Sequence, residues 1–595
     1  MYTTASIFFK TLAEAGITHA FVNWGSDHPA LLEELQRQRV EHGKTSIEIV
    51  TCPNEYVALS AAHGYGMITS KPAAVIVHVD VGTQALGGAV HNADRAQVPV
   101  FIFAGAVPFT ANGELRGSRN EYAMWWQDVP DQPAIVRQYT RYTAQIQSSK
   151  NAAKVMMRAL QIATSQPKGP VYLWARREVL DEDVDEATLN APLSIPKWPS
   201  VTPPALNPHA VDTIAQALKH AEFPLIVAGN VGRNPAASPV LAELSNTLAI
   251  GIISFIPSAA PVPSSHPYYL GCYLGGKLPY VADADVLLFL DIDLPWVDAQ
   301  DNAARPGAKV FVVGNDPLKR TFGFVHVDAD MICTADSEVA LGQLLDASRV
   351  SDTEAYRAKV QARKTSLEGS RAAWRAQLSH AETLLAPDGI LPSVPFLLAA
   401  LRTTVEALTP SAGKNVLWLN EAASQMQMIW NHIGHCTPKS VFTHGGTSLG
   451  AILGMAIGAS LGCTVAGEDR DLIVAFTGDG NYLFAAPESA YWVARRYNTP
   501  FLTIVLNNRG WFSPKQSMRG VHPTGHGSRV SGERLTVGFG QEQNVDYAGV
   551  AAAAGGAWAR QVARADELKG VFEEAVKVVT KERRCAVVEC IIESI

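Results

Sequence analysis

DLIVAFTGDGNY spans residues 471–482 and PFLTIVLNNRGW spans residues 500–511. Each begins as an unbroken apolar run rich in β-branched residues. The first run ends in Gly478-Asp479-Gly480 and the second in Asn507-Asn508-Arg509-Gly510. Continuous rather than alternating apolarity marks a strand buried on both faces, hence a parallel sheet covered by helices. Residues 486–497 between the two read as the crossover helix. In open parallel sheets ligands bind beyond the carboxyl ends of the strands, so both glycine-bearing turns point to one site. Glycine lets the backbone come close to a phosphate. A carboxylate, an amide oxygen and a free carbonyl are hard donors of the kind that Mg²⁺ shares with phosphate and water. Taken alone, Gly-Asp-Gly also reads as a plain turn; the Asn-Asn after a second buried strand favours the site.

The same strand pattern recurs along the chain. Runs at 20–22, 47–51, 74–78, 100–103 and 171–174 precede a second group at 225–228, 250–254, 285–290, 309–313 and 325–327. A third group lies at 416–419, 472–476, 501–506 and 585–591. A Pro-rich stretch, APLSIPKWPSVTPPALNP at 191–208, reads as a linker, and 351–390 as a charged helical stretch. The fold class is therefore α/β, with three doubly wound parallel-sheet domains at 1–185, 205–348 and 395–595. Three similar sheets suggest an old duplication.

Apolar residues make up 47% of the 595 residues and charged residues 18%, which excludes a disordered or collagen-like chain. The net charge of −7 lacks the basic footprint of a nucleic-acid binder. No apolar run approaches the ~20 residues of a membrane span. The opening MYTTASIFFKTLAEAG reads as a helix, not as a secretion signal. The seven cysteines are scattered without a CxxC and fit a reducing compartment, so the cytoplasm is expected.

GDG followed by NN at the next strand end resembles the motif of thiamin-diphosphate enzymes, specifically the 2-oxo acid decarboxylase and carboligase family. The resemblance implies a pyrimidine-binding, a central and a diphosphate-binding domain, in that order. It makes Asp479, Asn508 and the carbonyl of Gly510 ligands of Mg²⁺, and puts the diphosphate near Gly478, Gly480, Asn481 and Tyr482. TCPNEYVALSAAHGYG (51–66) matches the family's other half-site: Glu55 would hydrogen-bond the cofactor's pyrimidine N1′. A carboxyl group can share a proton with a ring nitrogen only where water is excluded. GGTSLGAILGMAIGASLG (445–462) resembles the small-residue helix beneath the cofactor. Leu449 would enforce the bent cofactor, and Thr447 would offer its carbonyl to the 4′-amino group.

Substrate-side residues follow two branches. AFVNWGSDHPAL (20–31) and AAVIVHVDVGTQALGGAVHNA (73–93) resemble benzoylformate decarboxylase and single out Ser26 and His78. NEYAMWWQDVPDQPAIVRQYTRY (120–142) resembles the acetohydroxyacid-synthase branch and brings Gln127 towards the cofactor. The His-His pair of pyruvate decarboxylases is absent between Gly105 and Gln127. LLFLDIDLPWVDAQD (287–301) is not followed by the Gly-x-Arg of the synthases that carry FAD, which makes FAD doubtful. Trp24, Trp125, Trp126, Trp511 and Phe512 lie near these loops and suit an apolar or aryl group, or a core or interface role. SMRGVHPTGHGSRVSGERL (517–535), with His522 and His526, reads as a surface loop or as a lid.

These marks imply an enzyme making or breaking a C–C bond beside a carbonyl, an acetolactate-synthase-like carboligase or C–C lyase of 2-oxo acids and acyloins. An aryl 2-oxo acid decarboxylase and a catalytically silent paralogue stand as alternatives. A dinucleotide-dependent dehydrogenase does not fit, because AGNVGRNPAA (228–237) lacks the fingerprint. The resemblance also implies a homodimer or homotetramer with sites between subunits, acting on a small molecule, with no nucleic acid or membrane partner.

Overall fold

Three six-stranded, fully parallel sheets carry the chain. The computed structural model describes residues 2–595 except 320–322, 324–325, 350–352, 435–436, 438 and 541–544. The first sheet contains β1 (His19–Val22), β2 (Glu48–Thr51), β3 (Ala73–Val77), β4 (Val100–Ala106), β5 (Tyr142–Ile146) and β6 (Val171–Arg176). The second contains β7 (Pro224–Ala228), β8 (Gly251–Phe255), β9 (Tyr269–Tyr273), β10 (Val286–Leu290), β11 (Lys309–Gly314) and β12 (Met331–Thr334). The third contains β13 (Val416–Glu421), β14 (Val441–Thr443), β15 (Leu472–Gly478), β16 (Leu502–Asn507), β17 (Trp558–Val562) and β18 (Ala586–Ile591).

The first sheet runs β2-β1-β3-β4-β6-β5 and the third runs β14-β13-β15-β16-β18-β17. These two orders are the same, so the outer sheets share one topology. The middle sheet, β9-β8-β7-β10-β11-β12, differs. In the outer sheets the winding reverses between the first and third strands, which opens a crevice at their carboxyl ends. The two crevices lie between β1 and β3, and between β13 and β15.

The central strands are apolar on both faces because helices cover both. β4 and β6 have buried side chains nearly throughout, as do β15 and β16. Of the expected strand at 325–327, Val325 lies outside the described residues, and Val327 packs into the core as irregular chain while His326 Nε2 bonds the Trp296 carbonyl. Met331–Thr334 takes the edge position instead. Residues 351–390 are largely one helix, Glu354–Ala381.

Two helices bring the outer sheets together: α1 (Glu55–Thr69) and α2 (Ile452–Ala466). They lie parallel and touch through glycine. A Cβ added at Gly458 would meet the Ala61 oxygen at 1.7 Å, one at Gly454 the Ser60 Cβ at 2.6 Å, and one at Gly64 the Met455 oxygen at 2.1 Å. The Gly/Ala-rich composition of both helices thus serves backbone-to-backbone contact. Among the described residues no helix is long and apolar enough to cross a membrane. The described cysteines are all free and, apart from Cys333, buried; Cys436 lies outside the described residues.

Candidate active site

A cavity of about 270 Å³ opens at the crevice of the third sheet, between the carboxyl ends of β13 and β15. Leu449, Gly478, Asp479, Gly480, Asn481, Asn508 and Gly510 all line it. The two turns read from the sequence therefore meet. Asp479 begins a short helix (Asp479–Phe484) and is 2% exposed. Its Oδ1 accepts the Gly480 N–H at 2.8 Å and its Oδ2 the Gly510 N–H at 2.8 Å, so one carboxylate ties both turns. Burial outweighs those bonds and pushes the carboxyl up to about 6. This desolvated carboxylate lines the cavity together with the buried Asn508 and with Gly510, and carboxylate, amide and carbonyl oxygens are hard donors.

The glycines here are required by space. At Gly510 (φ +153°) a Cβ would meet the Val537 oxygen at 2.3 Å, because residues 509–511 pair with 537–539. At Gly480 a Cβ would meet Trp511 Nε1 at 2.5 Å, so the indole closes over that glycine. Tyr482 does not reach the cavity. Its ring is fully buried among Tyr491 and Tyr547.

Sequence reasoning missed a wall of the site. Residues 422–425, after β13, line the cavity, as do Ser513 and Pro514 beside Trp511 and Phe512. It also missed Glu421, the last residue of β13 and fully buried. The Glu421 carboxylate accepts the Ala451 and Ile452 N–H groups at 3.0 and 2.9 Å, and its carbonyl accepts Asn481 Nδ2 at 2.6 Å. Burial pushes its carboxyl up to about 7. Glu421 thus joins the Leu449 loop to the Gly478–Asn481 turn. A charged residue closing the apolar run VLWLN was the signal available.

The first sheet supplies the other half. Glu55 opens α1, capped by the Asn54 side chain, which accepts the Val57 N–H. It is half-buried, and its Oε1 lies near Gly82 rather than in the cavity of its own chain. The next residue, Tyr56, donates its hydroxyl to the Leu449 carbonyl. Asn92 Nδ2 donates to the Ser448 carbonyl at 2.9 Å, and the exposed Thr447 meets His91. Glu55 and Leu449 therefore stand at the same end of one helix pair.

His78 follows β3, at the crevice of the first sheet. Its Nδ1 lies 2.5 Å from Oδ1 of Asp27, a residue that sequence reasoning passed over although it sits in the quoted Gly-Ser-Asp-His turn. Gln127, at the end of a short helix (Ala123–Trp126), lies beside His78 as well. Ser26 is exposed, and its carbonyl accepts an Arg177 N–H at 3.2 Å. Trp125 and Trp126 stand exposed beside Gln127. The 517–535 segment is part helix: Phe512–Val521 starts at the cavity and ends before the exposed His522 and His526.

Comparison with known proteins accounts for this arrangement. Three models match: the N-terminal TPP binding domain of thiamine pyrophosphate enzymes at residues 2–135, their central domain at 211–344 and their C-terminal TPP binding domain at 422–590. A probable pyruvate decarboxylase of Schizosaccharomyces pombe is 24% identical over 515 residues, covering 84% of this chain and 80% of that protein. An acetolactate synthase of Bacillus subtilis is 22% identical over 526 residues, covering 85% of this chain and 81% of that protein. The crystal structure of benzoylformate decarboxylase from Polynucleobacter necessarius superposes with a TM-score of 0.77 at 18% identity, covering 100% of this chain and 99% of the other. With its N-terminal, central and C-terminal models matched in order along the chain, the chain belongs to the thiamine pyrophosphate enzyme family.

Proposed function

We propose that this protein is a thiamin-diphosphate- and Mg²⁺-dependent enzyme that makes or breaks a C–C bond next to a carbonyl, as a carboligase or C–C lyase of 2-oxo acids and acyloins. The observation that carries the reading is the convergence of Leu449, Asp479, Asn508 and Gly510 on one cavity. The residues present fit the group. A desolvated carboxylate, an amide and a carbonyl suit Mg²⁺, and side-chain-free turns at Gly478 and Gly480 suit a diphosphate.

In this reading Asp479, Asn508 and the Gly510 carbonyl hold the metal, and Gly478, Gly480 and Asn481 receive the diphosphate. Leu449 backs the bend, and the Thr447 carbonyl serves the 4′-amino group. Glu55 holds a proton at the pyrimidine N1′. Bound thiamin diphosphate supplies a nucleophilic carbon and an electron sink beside the substrate carbonyl. His78 and Gln127 hold or move protons and orient the substrate, with Ser26 at the rim. That Glu55 and the metal donors are all present argues for an active enzyme over a silent paralogue.

Glu55 does not line the cavity of its own chain, which supports a homodimer or homotetramer whose sites are shared between subunits. The free cysteines support a cytoplasmic setting. Trp511 and Phe512 in the cavity wall favour one second reading, decarboxylation of an aryl or bulky 2-oxo acid. The test is a panel of aliphatic and aryl 2-oxo acids and acyloins with Mg²⁺ and thiamin diphosphate, with CO₂, aldehyde and hydroxy ketone measured together. Hydroxy ketone as product, or acyloin cleavage, is the expected result. Aldehyde and CO₂ alone would move the protein to the second reading, and no turnover of any member would sink both.

A further inference from the structure

The crevice of the first sheet holds a side-chain pair with a built-in housing. Asp27 is 2% exposed and His28 is fully buried. His78 Nδ1 meets Asp27 Oδ1 at 2.5 Å, while Asp27 Oδ2 accepts the Val79 N–H at 3.2 Å and faces His28 Nε2 at 3.3 Å. Two missing side chains make the room. A Cβ at Gly105, inside the otherwise apolar β4, would meet Asp27 Oδ2 at 1.8 Å; one at Gly25 would meet His78 Nδ1 at 2.0 Å. A glycine inside a central strand weakens it and marks a close approach, and here the approaching group is the carboxylate.

The neighbours of His78 settle its charge. Besides Asp27, it faces Asp80 on the following helix (Val79–Ala85), Gln127 from the loop after β4, and the His28 ring at 6.5 Å. His28 accepts the Gly25 N–H on Nδ1 at 3.1 Å, so its own proton sits on Nε2 and the ring is neutral. Tyr172 lies near Asp27, and Arg177 bonds the carbonyl of Ser26, one residue before Asp27. We propose that Asp27 is a positioning residue that holds His78 cationic, with Nδ1–H turned inward, so that Nε2–H is the one atom from which His78 delivers a proton to the substrate. The proton leaves Nε2, its bonding pair stays on the ring, and Nδ1–H remains on Asp27.

This rests on the reading of His78 as a substrate-side group. The electrostatics agree from both partners. Burial pulls His78 down, but the Asp27 hydrogen bond and charge, then Asp80 and Gln127, leave it above the ordinary histidine value. Burial pushes Asp27 up, but the His28 Nε2 beside it and the hydrogen bond and charge of His78 hold it below the ordinary carboxylate value. Remove the charge of Asp27 and only the smaller effects of Asp80 and Gln127 remain to oppose burial at His78.

The test is an NMR titration of the histidine Cε1 and ring nitrogens in the full chain without added cofactor, with His78 assigned through H78Q. In the parent protein His78 is expected to stay protonated above about pH 6.5. Asp27→Asn keeps the shape and removes the charge; Gly105→Ala keeps the charge and displaces the carboxylate. Either should lower the His78 midpoint by about 1 pH unit or more, and the alkaline limb of kcat/KM should move down with it. A parent His78 that titrates below about pH 6.5, or one that titrates alike in parent and variants, overturns the proposal. If H78Q keeps full activity, the substrate-side reading fails by itself. If H78Q is inactive while the titration ignores Asp27, only the role of Asp27 fails.

Discussion

Gly458→Ala adds one methyl group where the structure has no space for it. The nearest atoms are the Ala61 oxygen at 1.7 Å, its carbonyl carbon at 2.5 Å and its Cα at 2.9 Å, all backbone. No flexible side chain can swing aside, so α1 and α2 must part by roughly 1 Å or more, and overpacking of this kind costs about 1–3 kcal/mol. Here the upper end is expected, because nearly every residue of α1 is buried and the strain is shared by neighbouring contacts at Gly454 and Gly64. Gly570, in the helix Leu568–Lys581, is the control: nothing lies within 4 Å of an added Cβ. There the same substitution should be neutral or stabilise by about 0.5–1 kcal/mol. Calorimetry should show G458A melting about 6 °C or more below the parent, with G570A at or above it. Since α1 begins at Glu55 and α2 follows Leu449, G458A should also cost about 100-fold in kcat/KM. If G458A melts and turns over like the parent, the two helices do not make the contact described.

Glu55→Gln should lower kcat by about 100-fold or more while changing thiamin diphosphate affinity less than tenfold, as measured by single-turnover kinetics and calorimetry. If sites are shared, mixing Glu55→Gln with Asp479→Ala subunits should restore part of the activity; absence of rescue after proven subunit exchange would count against it. His63, on α1, is 1% exposed with neither ring nitrogen hydrogen-bonded, and burial, with His444 adding, pushes it down to about 3. The unfolded chain takes up this proton below about pH 6.5 and the folded protein does not. The stability contributed by neutral His63 is thus complete above that pH and drains by about 1.4 kcal/mol per pH unit towards pH 3. The stability of the parent relative to His63→Leu should fall by about 2 kcal/mol from pH 6.5 to 5; a difference that stays constant would contradict this.

The strands that sequence reasoning found and those it missed divide by position. All the central strands of the three sheets were legible, because burial on both faces writes an unbroken apolar run. Tyr142–Ile146, Tyr269–Tyr273, Met331–Thr334, Val441–Thr443 and Trp558–Val562 were not, and every one of them is an edge strand. Met331–Thr334 alternates in exposure and Trp558–Val562 has an exposed middle, while the buried Tyr269–Tyr273 is interrupted by Gly271. That Gly478–Asn481 and Asn508–Gly510 lie together was legible because local spacing carries it, two glycine turns on neighbouring strands. Asp27 and Glu421 were not, because their meaning lies in contacts across the chain. Asp27 matters through His78 and the space at Gly105; Glu421 through the N–H groups of Ala451 and Ile452. Tyr482 follows Gly480 and Asn481 in sequence, but helical geometry turns its ring into the core.

The most direct test is a calorimetric titration of thiamin diphosphate into the folded protein, with Mg²⁺ present and again after chelation. Uptake is expected with Mg²⁺ and is expected to be lost on chelation and in Asp479→Asn, the buried carboxylate being the proposed anchor of the metal. No uptake by well-folded protein with Mg²⁺ present, or equal uptake in the chelated sample and in Asp479→Asn, would contradict it.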